Sequence, residues 1–234
     1  MSRVAQQALL GAAENPAAEV LFLGNKATDG TARSTHTLTA VPFGTEASDR
    51  KIFLIVHVQA SVESQAVLSS ATIGGVTASV VASSVITSVS PVYTLKTYLL
   101  VASVPTGTSG TVVLTFPNNV WVYLGVYRVV NLLSVTPVDS VISTADHVTT
   151  KSIQVDVVKK GILLASGQFY SKKSVNLTAG VTQDYSTSWY ADRYGQGGSL
   201  AVAADQANRT VTFTRSTTSD GLVMIGAVLA VSFR

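Results

Sequence analysis

From residue 19 onward the chain runs in stretches rich in Val, Ile, Leu, Thr and Tyr, each closed by Gly, Asn, Asp, Ser or Pro. β-Branched and aromatic side chains fit a pleated, half-buried surface, and the closing residues supply turns. This punctuation restricts the chain to an all-β fold. The sharpest strand signals cover residues 20–23, 35–41, 51–60, 77–82, 93–104, 111–116 and 120–130. A second series covers 152–158, 161–169, 186–190, 199–204, 210–215 and 222–233. Ile73-Gly74-Gly75-Val76 reads as a two-residue hairpin turn, since glycine takes positive φ at both central positions without strain.

Periodicity separates two kinds of strand. Ile153, Val155 and Val157 alternate with Ser152, Gln154 and Asp156, so one face meets a core and the other meets solvent. Residues 52–56 and 162–165 are continuous apolar runs and must be covered on both faces, by loops, by the N-terminal arm or by another subunit.

Five segments recur in the same order. Lys51-Ile52-Phe53-Leu54 aligns with Lys160-Gly161-Ile162-Leu163-Leu164 as a basic entry into a buried strand, and Gly75-Val76-Thr77 with Gly180-Val181-Thr182. Leu99-Leu100-Val101-Ala102 aligns with Leu200-Ala201-Val202-Ala203, and Thr111-Val112-Val113-Leu114 with Thr210-Val211-Thr212-Phe213. The last pair is Val122-Tyr123-Leu124-Gly125-Val126 and Val223-Met224-Ile225-Gly226-Ala227. A spacing near one hundred residues means duplicated units rather than a solenoid. The expected architecture is an antiparallel, jelly-roll-like β-sandwich over residues 19–234, built from sequence-related halves at about 50–130 and 151–234. One continuous sandwich is preferred to two, because the joining segment 131–150 contains Val135, Val138, Val141 and Ile142 and does not resemble a flexible linker. Residues 1–18 form a short arm, helical over 3–13, whose Val4, Leu9 and Leu10 are candidate anchors in an assembly.

Charged residues are only 12% of the chain, about half the usual share, so Ser, Thr, Asn, Gln and Gly must cover its surface. The net charge of +3 is a small excess, and no basic stripe interleaved with aromatics marks a nucleic-acid surface. The doublets Arg50-Lys51, Lys159-Lys160 and Lys172-Lys173 read as solvated charges that protect sheet edges. With no cysteine, disulfides and thiolate chemistry are excluded. No apolar run reads as a secretory leader or a membrane-spanning helix, so the expectation is a soluble chain made in the cytoplasm.

Catalytic signals are sparse. His57 sits on the opposite strand face from Val56 and Val58 and reads as a structural or surface histidine, and His36 lies between threonines. Asp146-His147 is an adjacent acid–histidine pair, but neighbours in a strand point apart. No metal-ligand spacing or nucleophile elbow appears, and no cofactor is expected. One cluster concentrates aromatics: Tyr185, Trp189, Tyr190 and Tyr194, with Asp184, Asp192 and Arg193 between them. Such rings beside carboxylates can stack on and hydrogen-bond a sugar, or cap a core or interface.

Several segments resemble a family of virion proteins of tailed phages and prophages. They are Ala71 to Ala78, Val104 to Val113, Leu124-Gly125-Val126-Tyr127-Arg128-Val129 and Asp192-Arg193-Tyr194, within a region of about 52–233. The resemblance implies a β-sandwich part of the particle: a capsid decoration (cement) protein, or a head or tail accessory piece. It implies partners among the major capsid or tail proteins, self-association as a homo-oligomer, and location in the virion. These segments are turns and buried strands, so no binding residue is carried over. The competing reading is a carbohydrate-binding, host-recognition module.

Overall fold

The computed structural model describes residues 15–28, 30–89, 92–171, 173–190, 192–216 and 224–234. The expected helix over 3–13, with Val4, Leu9 and Leu10, lies outside the described residues. The first eight strands are β1 (Glu19–Ala27), β2 (Arg33–Pro42), β3 (Lys51–Ala60), β4 (Ser70–Ile73), β5 (Val76–Thr77), β6 (Ser79–Val89), β7 (Val92–Ser103) and β8 (Ser109–Val130). The next eight are β9 (Asp139–Val148), β10 (Thr150–Val157), β11 (Ile162–Tyr170), β12 (Val175–Ala179), β13 (Thr182–Tyr190), β14 (Arg193–Ala201), β15 (Gln206–Arg215) and β16 (Met224–Phe233). All pairings are antiparallel. Among the described residues there is no α-helix, only a 3-10 turn at Glu63–Ala66.

β1 to β8 form one eight-stranded sheet that curls through β8. The first part of this 22-residue strand pairs with β2 and β4, and its second part with β1 and β3. The bend lies between: on β2 the partner of Val120 is Arg33 and that of Thr115 is Thr35, so four β8 residues lie opposite Ser34. A bulge of this size re-aims the strand and its side chains. It accounts for the gap at 117–119 that separates two strands in the sequence but interrupts one strand in the structure. A five-stranded sheet has the order β13-β14-β11-β16-β9, and a three-stranded sheet the order β10-β15-β12.

Three buried layers result. The inner layer of the curled sheet holds Leu54, Val56, Leu100, Leu114 and Leu124. Phe169, Val175, Val211, Phe213 and Val228 fill the space between the five- and three-stranded sheets. The central layer joins the two halves: Phe53, Ile55, Leu99, Tyr127 and Val129 of the curled sheet meet Ile162, Leu164, Leu229, Val231 and Phe233 of the five-stranded sheet. This explains the continuous apolar runs. Leu54 and Val56 face the inner layer while Phe53 and Ile55 face the central one, and Leu163 and Leu164 divide in the same way. The cover expected from an arm or another subunit comes from the other half of the same chain.

Segment 131–150 contributes β9, which the sequence reading treated as a connection; it is an edge strand paired with β16. The turn at Ile73 and Val76 is as expected, with φ of 60° at Gly74 and 81° at Gly75. Arg50 departs from its reading as an edge charge. It is fully buried, and its guanidinium donates to the carbonyls of Val104, Phe43, Gly44, Thr106 and Gly107 at 2.6–3.2 Å. One cation thereby ties together the loop after β2 and the loop after β7, which otherwise leave five carbonyls unpaired.

Candidate functional site

Of the aromatic cluster around β13, Tyr185 and Tyr194 belong to different surroundings. Alternation along β13 turns Tyr185 inward, where it is 5% exposed in the central layer. Its ring stacks on Phe22 at 5.4 Å and meets His57 edge-on at 6.1 Å, and no sugar in solvent can reach it. Tyr194 is half-buried on β14, whereas the side chains of Trp189 and Tyr190 lie outside what is described. Arg193 is held between the rings of Tyr93 and Tyr170, at 4.7 and 4.6 Å from their centroids. This cation–π stack closes the end of the central layer where the β6–β7 hairpin meets β11.

His57 is the polar centre of that layer. The Tyr185 hydroxyl lies 3.0 Å from His57 Nε2, and Thr97 Oγ1 lies 3.3 Å from His57 Nδ1. Thr97 donates to Gln168 Oε1 at 3.4 Å, and Gln168 Nε2 donates to the Val58 carbonyl at 3.1 Å. Since the Thr97 proton is committed to Gln168, its oxygen accepts from His57 Nδ1–H, and Nε2 accepts from Tyr185. The chain of donors is complete with His57 neutral. Burial pushes the imidazole pKa down to about 3. Burial also raises Tyr127 and Tyr185 well above the usual phenol range, and raises Asp184. Glycines let the rings close in: a Cβ at Gly197 would lie 2.3 Å from the Tyr185 ring, and one at Gly195 2.8 Å from His57. Buried phenols and a neutral imidazole without solvent access make a structural joint, not a reactive centre.

The Asp146–His147 pair behaves differently from the sequence expectation. His147 has φ of 53°, which breaks the alternation at the end of β9, and its Nδ1 lies 2.6 Å from Asp146 Oδ1. Both side chains are 69% exposed, so the contact stands in water. Among the described residues no group of three His, Asp or Glu side chains could hold a metal. No helix among them is long and apolar enough to cross a membrane.

The surface offers more. A groove of about 470 Å³ runs beside the segment that links the halves, lined by apolar residues (Val76, Leu133 and Val135 among them) and by polar ones (Lys51, Ser79 and Ser134 among them). Leu133 is 56% exposed there, and Val138 and Ile142 farther along the same segment are exposed as well. Leu133 also borders a second pocket, of about 530 Å³, shared with Asn15, Pro16, Lys159, Lys160 and Arg234. Lys160 donates to the Asn15 carbonyl at 3.0 Å, so a residue of the second basic doublet fixes the point where the N-terminal arm leaves the body. Nothing in the sequence periodicity marked this groove, because its residues come from a turn, an edge and a connection. No protein-family model, curated protein or solved structure matches the chain.

Proposed function

We propose that this protein is a structural component of a tailed-phage virion, of the capsid decoration (cement) or head–tail accessory type, acting through protein–protein interfaces. The observation that carries the reading is that three exposed aliphatic side chains, Val76, Leu133 and Val135, line one groove of mixed polarity next to the exit of the arm. Isolated exposed apolar side chains are ordinary, but several gathered in one groove on a chain with few charges support an interface there. Residues 1–14 carry Val4, Leu9 and Leu10 and emerge at Asn15, at the pocket that shares Leu133 with the groove. The groove of one copy receives this segment from a neighbouring copy, and the exchange of arms links protomers into an oligomer on the particle. A joint with neutral, fully buried polar groups and three apolar layers suits a rigid part that works by contact.

The jelly-roll-like duplication belongs to the same proposal. β1, β8, β3, β7 and β6 stand in the curled sheet in the order that β9, β16, β11, β14 and β13 take in the five-stranded sheet. β2, β8 and β4 correspond likewise to β10, β15 and β12. Four of the five recurring sequence segments fall wholly or partly on corresponding strands, which supports descent from one unit and pairing of the two copies through the central layer.

The test is co-sedimentation with tailed-phage shells of the full chain and of a chain beginning at Glu19. Binding by the full chain alone is the expected result. Equal binding, or none by either, overturns the arm-anchored reading.

A further inference from the structure

The bulge in β8 builds a second surface feature, on the flank where the curled sheet turns over. Pro117, Asn118 and Asn119 lie within the four-residue excess opposite Ser34, and all three are exposed. With Gln65, Ser61 and Trp121 they line a groove of about 460 Å³. Every described lining residue is uncharged, Ala32 and Ser34 included. The groove has a fixed floor. Trp121 Nε1 donates to the Gly30 carbonyl at 3.1 Å, which holds the indole and occupies its polar edge. His36 Nε2 lies 3.0 Å from the Val120 carbonyl and Thr28 donates to the Val122 carbonyl at 3.1 Å, pinning the strand on either side of Trp121.

We infer that this groove is a binding site for a neutral carbohydrate. The chemistry of its lining selects that class. Amide side chains offer donors and acceptors side by side, which matches the paired hydroxyls of a sugar. The indole lines the groove with its N–H engaged, and the carbon surface of such a ring is what the C–H face of a pyranose stacks on. A nucleic acid or an acidic glycan would need cations, and the described lining has none. An apolar peptide would need a row of aliphatic contacts, and among the described lining residues only Ala32 and Pro117 are apolar apart from the indole. Bulges recur beside binding sites because they aim side chains that a regular ladder would alternate. The site goes beyond the structural role proposed above and does not depend on it.

The experiment probes an immobilised array of neutral gluco-, galacto-, manno- and N-acetylglucosamine oligosaccharides beside sulfated and sialylated counterparts, followed by calorimetry with the strongest binder. The full chain is expected to bind a neutral oligosaccharide and none of the acidic ones. Trp121→Ala and Asn119→Ala are each expected to weaken binding at least about tenfold, the loss of one stacking or charge-free hydrogen-bonding contact. Asn119 is exposed, so its substitution leaves the fold intact and reports on the site alone. No binding to any neutral glycan overturns the inference, as does binding that Asn119→Ala and Trp121→Ala leave unchanged. Binding confined to acidic glycans overturns it too.

Discussion

Acidification should loosen the joint between the two halves by a predictable amount. The unfolded chain protonates His57 near 6.5, while in the folded protein burial holds it neutral down to about 3. Above the unfolded value the two states bind the same number of protons and His57 contributes no pH dependence. Below it the unfolded state gains a proton that the folded state does not, so stability falls as pH falls, until the folded imidazole titrates as well. Each pH unit inside this window removes about 1.4 kcal/mol. Lowering the pH from about 7.5 to about 4.5 therefore removes about 3 kcal/mol through His57 alone, a large share of a typical domain's stability. Asp184 acts with the opposite sign: its carboxyl is easier to protonate when folded, so acid favours folding through that group. The quantity to measure is accordingly the difference between wild type and His57→Gln, which keeps hydrogen-bonding capacity toward Tyr185 and Thr97 without titrating. Urea unfolding of both proteins across that pH range gives the two slopes. A steeper acid loss in wild type by about 3 kcal/mol is expected, and parallel slopes would refute the assignment of His57 as a sealed neutral group.

Other consequences concern stability elsewhere. Arg50→Met leaves five carbonyls of two loops without their donor and should cost at least about 3 kcal/mol in denaturant unfolding. A cost below about 1 kcal/mol would show that those loops find water instead. Gln196 alternates with Gly195 and Gly197, which face the central layer, is fully buried, and has no hydrogen-bond partner for either side-chain amide atom. Gln196→Met should therefore stabilise the protein by about 1–3 kcal/mol, read as a higher urea midpoint, and a lower midpoint would contradict this account.

How far the sequence reached can be followed residue by residue. Strand identity was legible because each strand carries its own period, and the runs at 52–56 and 162–165 correctly announced two covered faces. What covered them was not legible, since periodicity records burial and not the partner that provides it. The same runs serve a layer within each half and a layer between halves. Edge strand β9 hid in a segment of mixed polarity, because its outward Ile142 and inward Val141 blur the alternation. Arg50 looked like a surface charge because composition near a strand entry cannot show five converging carbonyls. The aromatic cluster was found but misplaced for Tyr185, whose direction depends on the register of β13 against β14. The groove at Pro117 to Trp121 depended on a bulge, which has no sequence period at all.

The central claim is that exchange of the arm into the groove at Leu133 joins copies of this chain. Sedimentation velocity of the full chain, the chain beginning at Glu19 and Leu133→Asp tests it most directly. Leu133 is exposed, so the aspartate should change folding stability by no more than about 0.5 kcal/mol. A defined oligomer for the full chain and monomers for both variants are expected. A monomeric full chain, or an oligomer that survives both changes, would contradict it.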